Sequence, residues 1–124
     1  MTQEDKELLL KDLCARLPYG VICLIHNVNG DDYNRSIMGG DIDLFSHHFI
    51  TIKPYLRPMS SMTDDERKEY NDIVKNTIDF YNCPKSEKIC FFIIPIEWLN
   101  AHHFDYRGLI EKGLAIEAPE GMYN

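Results

Sequence analysis

The chain has 124 residues, 44% of them hydrophobic and 27% charged, which is the balance of one globular domain with its own core. Its 13 basic and 20 acidic residues give a net charge of −7, which argues against the basic stripe of a nucleic-acid-binding surface. With no basic and apolar leader and no apolar run of about 20 residues, the sequence predicts a single soluble, cytoplasmic domain over residues 1–124.

The four cysteines are spaced too irregularly for a zinc site, because structural zinc ligands come in close pairs such as C-x-x-C. We therefore expect reduced thiols and no cofactor. Cys14, Cys23 and Cys90 have apolar neighbours and are predicted to lie in the core, whereas Cys83 precedes a proline and is predicted to be exposed.

The first predicted element is a helix over Thr2–Leu17. Thr2 and Asp5 form a capping-box pattern, and leucines recur at helical spacing on one face. Pro18 and Gly20 end the helix.

Short β-branched or alternating segments follow, and they predict an antiparallel meander or a barrel-like sheet. Turn residues at 29–32 and at Gly39–Gly40 separate them. The predicted strands are Val21–His26, Arg35–Met38, Asp41–Phe45 and His48–Lys53.

A proline-rich segment, Pro54–Met62, is predicted to be an ordered connector and carries the candidate binding residues. Two interpretations stay open for its large side chains. Exposed, they form an apolar patch that marks a partner surface; buried, they seal one end of the sheet. The candidate binding residues are Tyr55, Leu56, Arg57, Pro58 and Met59.

The clearest helix begins at Thr63, which forms a capping box with Glu66, and ends at residues 82–84. Lys88–Ile94 is an apolar run that predicts a buried strand. Pro95 suits the first position of a further helix, which is expected to end near His103.

The C-terminal region contains Asp105, which can cap one more short helix that ends at Gly113. The last eight residues, EAPEGMYN, are predicted to be a tail. The order of helix, strands, helix, strand and helices predicts an α+β fold.

Three segments carry a resemblance to known proteins: KELLLKDLCARLPYGV (6–21), KPYLRPMSSMT (53–63) and HFDYRGLIEKGLAIEAPEGMYN (103–124). They resemble a group of short uncharacterised proteins of gut Bacteroidales and their phages or prophages. The resemblance implies an origin in a phage or mobile element, and it transfers no catalytic or binding residue. It favours a small accessory or interaction protein over a metabolic enzyme.

A metal site is the chemical alternative, built from His102, His103 and Asp105, with His47 or His48 as further ligands if the chain brings them together. Adjacent histidines on a helix point about 100° apart, which disfavours joint ligation. The simpler interpretation has one histidine packed at the helix end and the other in water, with Phe104 and Tyr106 in the core. Asp105 then caps a helix, and Arg107 is exposed or pairs with a cap.

Three functional hypotheses follow, and none includes an assigned catalytic residue. The first is a non-enzymatic protein-binding or regulatory accessory protein that acts through an unidentified protein partner. The second is a small metal-dependent hydrolase using His102 or His103 with Asp105. The third is an acidic mimic of nucleic acid, which the interleaved lysines and arginines of residues 64–79 disfavour.

Overall fold

The computed structural model describes residues 1–80 and 95–123, and it begins with the predicted N-terminal helix. Helix α1 spans Gln3–Arg16, and the Thr2 hydroxyl accepts a hydrogen bond from the Asp5 N–H at its start. Leu13 is buried, but Cys14 is exposed, so the predicted burial of Cys14 is wrong. Its immediate neighbour Leu13 occupies the inward face, and consecutive helical residues point about 100° apart.

Five strands form one mixed sheet: β1 (Ile22–His26), β2 (Asp32–Ser36), β3 (Thr51–Pro58), β4 (Phe104–Asp105) and β5 (Ile116–Glu117). The strand order is β2-β1-β3-β4, and β5 also pairs with β3. The first three strands pair antiparallel, whereas β4 and β5 each run parallel to β3. The predicted α+β class is confirmed, with parallel pairs added to the antiparallel part of the sheet.

Strands β4 and β5 lie on opposite sides of β3. The Arg57 N–H donates to the His103 carbonyl at 2.8 Å, and the Ala118 N–H donates to the Leu56 carbonyl at 2.8 Å. Since the backbone groups of successive strand residues point in opposite directions, Arg57 and Leu56 bond to opposite neighbours. The end of β3 is therefore enclosed by the C-terminal third of the chain.

The predicted strand over Asp41–Phe45 is wrong, because this segment lies in helix α2, Gly39–Ser46. Within this helix, the Asp41 carboxylate accepts a hydrogen bond from the Met38 N–H at 2.9 Å. It also pairs with both terminal nitrogens of Arg35. Asp41 and Phe45, four residues apart, are both buried, which is helical spacing. The alternation of polar and apolar residues that predicted a strand is so short that it fits both the two-residue period of a strand and the 3.6-residue period of a helix.

The predicted connector is mostly strand, because β3 continues through Pro54 to Pro58. Only Met59–Ser61 forms a connecting turn, which is a short 3-10 helix. Proline is tolerated in a strand where its missing N–H is not needed by a neighbour. The two prolines therefore make the sequence look like a connector, but they do not end the strand.

Helix α3 spans Asp64–Phe80 and begins with the predicted capping box. The Glu66 N–H donates to the Thr63 hydroxyl at 3.1 Å, and the Thr63 N–H donates to the Glu66 carboxylate at 3.0 Å. Helix α4 spans Ile96–Ala101 directly after Pro95, as predicted. The predicted strand Lys88–Ile94, and with it Cys83 and Cys90, lies outside the described residues.

Two C-terminal predictions are wrong. Asp105 accepts hydrogen bonds from the Leu109 N–H at 2.9 Å and the Ile110 N–H at 3.0 Å, but the segment it caps is a turn rather than a helix. Gly113, at a φ of 75°, ends this turn. The expected tail instead begins at the last residue of β5 and is held by the Tyr123 hydroxyl, which donates to the Tyr55 carbonyl at 2.6 Å.

The apolar side chains form two clusters. The main cluster joins α1, the sheet and the C-terminal turn; its buried members are Leu9, Leu13, Val21, Cys23, Ile25, Ile37, Phe45, Ile50, Ile52, Leu56, Leu109, Leu114 and Ala115. The second cluster contains Met62, Leu99 and Phe104, with Met59, Tyr70, Trp98 and Tyr106 packed against it. None of the helices in residues 1–80 and 95–123 has the length and apolarity needed to cross a membrane.

Candidate functional site

The candidate binding residues do not form an exposed apolar patch. Leu56 is 0% exposed and belongs to the main core, and Tyr55, Arg57, Pro58 and Met59 are half-buried. The strand conformation of β3 explains this, since alternate side chains of an internal strand point into the core. Of the two interpretations of this segment, the structure favours the one in which its large side chains are packed.

Arg57 and Pro58 instead line one wall of a groove of about 500 Å³, which we call the C-terminal groove. Ser61 and Thr63 continue the same wall, and residues 117–123 form the rest of the lining. The hydrogen bonds that Ala118 and Tyr123 make to β3 fix the two walls relative to each other. Of the five candidate binding residues, Arg57 and Pro58 line this groove; residues 117–123 were not among the candidates, because they have the composition of a tail.

Arg57 is held at the inner edge of this groove by Glu66. Its two terminal nitrogens donate to the two carboxylate oxygens at 2.7 and 2.6 Å, and the guanidinium carbon lies 4.2 Å from the centre of the Phe104 ring. The hydrogen bonds from Arg57, followed by the backbone bond from Thr63, lower the pKa of Glu66 to about 2 against the opposing effect of burial. The charge of Arg57 is therefore already neutralised.

The remaining charges on the walls of the C-terminal groove are acidic. Glu117 and Glu120 line it, both are exposed, and neither makes an ion pair with another residue of the described ranges. Pro58, Pro119 and Met122 add apolar surface. The groove thus combines unpaired negative charge with apolar contacts.

The two histidines that follow α4 face different neighbours. The His102 ring lies 4.2 Å from the Trp98 ring, and its Nδ1 is 3.6 Å from the Glu66 carboxylate. The His103 ring stacks on Tyr123 at 3.7 Å, and its backbone is left-handed, with a φ of 63°. Both histidines are half-buried against aromatic rings, and the His102 side chain keeps 35% of its surface exposed.

Burial, reinforced by the positive charges of Arg16, His102 and Arg57, lowers the pKa of His103 to about 4. Its Nδ1 is buried without a hydrogen-bond partner among the described residues. Neutral imidazole is the form that this environment favours, since a proton on Nδ1 would have no acceptor.

The residues of the metal hypothesis do not converge in the part of the chain that the structure describes. Both oxygens of Asp105 accept backbone N–H groups, so that carboxylate already has a structural role. His47 bonds to the carbonyl of Asp43 at 2.9 Å, and His48 contacts Lys6. Within residues 1–80 and 95–123, no three His, Cys, Asp or Glu side chains are grouped to hold a metal ion.

A buried charge network that sequence reasoning missed lies beside this region. Asp12 and Arg16 pair on α1, Arg16 donates to the Phe104 carbonyl at 2.6 Å, and Arg107 donates to Asp12 at 3.1 Å. Arg107, predicted to be exposed or to pair with a cap, is therefore an ion-pair partner of the N-terminal helix. The four-residue spacing of Asp12 and Arg16 was the available signal.

Comparison of the chain with protein-family models, with curated proteins and with solved structures finds no match. A functional interpretation therefore depends on the residues and the geometry of the chain itself.

Proposed function

We propose that this protein is a non-enzymatic protein-binding module whose C-terminal groove takes an extended, basic segment of a partner protein. The observation that carries the proposal is a groove of about 500 Å³ with two exposed, unpaired carboxylates, Glu117 and Glu120, on its rim. Pockets for drug-sized ligands begin at about 300 Å³, so the groove accommodates several side chains of a peptide.

The charges of the groove specify the chemistry of the partner. Because Arg57 is neutralised by Glu66, the rim charges act on a ligand without compensation. Lysine or arginine side chains can pair with them, and the net charge of −7 on the chain attracts a basic partner at long range. Pro58 and Met122 supply apolar contact for the segment between the basic residues.

The Glu66 carboxylate next to the groove supports binding rather than catalysis. It accepts two hydrogen bonds from Arg57 and one from the Thr63 N–H. A general base needs a free lone pair directed at the substrate, and Glu66 is already engaged within the protein. The resemblance to short proteins of Bacteroidales and their phages supports an accessory role in the bacterial cytoplasm, with a host or phage protein as the partner.

Site-specific photo-crosslinking in a lysate of a Bacteroides host tests the proposal. A photoreactive phenylalanine replaces Met122 in the groove wall, and a second protein carries it at Val28, which is 78% exposed on the β1–β2 turn. We expect a partner that crosslinks from position 122 and not from position 28, through a peptide rich in lysine or arginine.

Charge reversal provides the matched control. Glu117→Lys with Glu120→Lys should abolish that crosslink, whereas Glu7→Lys with Glu111→Lys, which changes the net charge equally at exposed sites elsewhere, should preserve it. Equal crosslinking by both charge variants would rule out the groove as the binding site. Metal content measured on the same samples tests the hydrolase alternative, which requires about one bound metal ion per chain.

A further inference from the structure

A second site is suggested by Lys6, a lysine that is only 8% exposed. Its Nζ lies 2.6 Å from Nδ1 and 3.2 Å from Nε2 of His48, and 5.2 Å from the centre of the Phe45 ring. No carboxylate of the described residues lies within ion-pairing distance of it. Lysine is rarely buried without an acidic partner, because the ammonium loses its hydration.

His48 does not supply the missing negative charge. An ammonium group only donates hydrogen bonds, and an imidazole ring carries no negative charge to offset it. His48 is held in this position by a left-handed backbone, with a φ of 67°, and its N–H donates to the Phe45 carbonyl at 3.1 Å. This conformation is strained for a residue other than glycine, and such strain is concentrated at sites with a function.

Lys6 and His48 line a cavity of about 230 Å³ between the start of α1 and the end of α2. Phe45 and Ile50 give it an apolar wall, and Thr2 and Gln3 bring the first turn of α1 to its edge. The N-terminal end of a helix carries a partial positive charge, which adds to that of the ammonium. The acidic residues of this turn, Glu4 and Asp5, do not line the cavity.

We infer that this cavity binds a small organic carboxylate, with the carboxylate on the Lys6 ammonium and a short apolar tail against Phe45 and Ile50. A bound anion would supply the counter-charge that Lys6 lacks among the described residues, and the apolar wall favours a tail of a few carbons over inorganic phosphate. The volume is below the roughly 300 Å³ of pockets for drug-sized ligands, which limits the ligand to a small molecule. The cavity shares no residue with the C-terminal groove, so this inference is independent of the proposed function.

NMR titration of the full chain, labelled with nitrogen-15, tests the inference. Butyrate and benzoate are the probes; butyramide, which has the tail of butyrate without its charge, and inorganic phosphate are the comparisons. We expect saturable shifts of the amides around the cavity with the two carboxylates. Butyramide and phosphate should bind at least tenfold more weakly or not at all. Equal binding of butyramide and butyrate by the wild-type protein would overturn the inference. The absence of saturable binding of either carboxylate would also overturn it.

Substitution then assigns the binding to Lys6. Lys6→Met keeps an unbranched side chain that is one atom shorter, removes the buried charge and should weaken butyrate binding at least tenfold. Lys11→Met, at an exposed position of the same helix, should leave binding unchanged. Because Lys6→Met removes an unpaired buried charge, we expect it to fold with equal or greater stability. Butyrate binding that is the same in both variants would show that Lys6 is not the anion ligand.

Discussion

Asp12 and Arg16 form an ion pair from which solvent is excluded: Oδ2 and Nε are 2.8 Å apart, and both side chains are 0% exposed. The pair joins distant parts of the chain, since Arg16 also donates to the Phe104 carbonyl and Asp12 also accepts from Arg107. Both residues belong to α1, and their further hydrogen bonds connect this helix to the segment that carries β4. The position of the C-terminal third of the chain, and with it the outer wall of the groove, therefore depends on two residues of the first helix.

Asp12→Ala should lower the free energy of unfolding by about 3–5 kcal/mol, because it leaves Arg16 buried without its counter-charge. Urea denaturation measures the change. Glu7→Ala, which removes an exposed carboxylate from the same helix, is the matched control and should change stability by less than about 0.5 kcal/mol. In a cycle of Asp12→Leu, Arg16→Met and the double variant that combines them, the double variant should lose less stability than the sum of the two single variants. Strict additivity in this cycle would mean that the pair contributes no coupling.

Features that depend on neighbours within one helical turn could be predicted from the sequence. The caps at Thr2 and Thr63 and the start of α4 after Pro95 belong to this class. The caps could be predicted because their donor and acceptor are three or four residues apart, so a short stretch of sequence contains both.

Features that depend on distant contacts were predicted poorly. Helix α2 is stabilised by the pairing of Asp41 with Arg35 of β2. A pattern of hydrophobic and polar residues does not show this ion pair. The C-terminal segment is ordered through Tyr123 and the pairing of β5 with β3, so its composition alone suggests a tail. The groove requires both walls, and a single sequence does not show that residues 117–123 return to Pro58.

The ion pair of Glu66 and Arg57 should make stability depend on pH in the acidic range. The pKa of Glu66 is about 2 in the folded protein and near its ordinary value of 4.5 in the unfolded chain. A lowered folded-state pKa contributes stability that is complete above pH 4.5 and is lost as the pH falls toward 2. With both side chains largely shielded from solvent, we expect a contribution on the order of 2–3 kcal/mol.

Denaturation of the wild type and of Glu66→Gln as a function of pH measures this contribution. The difference in stability between them should be largest above pH 4.5 and should shrink as the pH approaches 2. Asp65→Asn, at the adjacent exposed position of the same first turn, is the control for removal of a carboxylate near the helix dipole. A difference that stays constant across this range would contradict the lowered pKa.

Tyr123→Phe should destabilise the protein by about 1–3 kcal/mol, because it removes one hydroxyl and leaves two half-buried backbone groups without this partner. The Tyr123 hydroxyl donates to the Tyr55 carbonyl at 2.6 Å and accepts from the Ile22 N–H at 3.0 Å. Thermal or urea denaturation measures the loss. Tyr19→Phe removes an exposed hydroxyl and should be neutral. Equal stability of the two variants would show that the C-terminal segment is not held by this hydroxyl.

His103 should titrate well below an ordinary histidine. Burial, with Arg16, His102 and Arg57 nearby, lowers its pKa from 6.5 to about 4, so between these values the unfolded chain binds a proton that the folded protein does not. Stability from this residue therefore rises with pH from about 4 to 6.5 and is constant above 6.5. NMR titration of the imidazole Cε1–H signal gives the pKa directly.

The variant His103→Asn separates this titration from the backbone strain at the same position. Asparagine tolerates the left-handed φ of 63° and cannot titrate, so the backbone is retained while the proton-linked effect is lost. The stability of the wild type minus that of His103→Asn should increase between pH 4 and 6.5 and then level off. If the difference is flat and the Cε1–H signal titrates near 6.5, His103 is open to solvent and does not stack on Tyr123 as the structure has it.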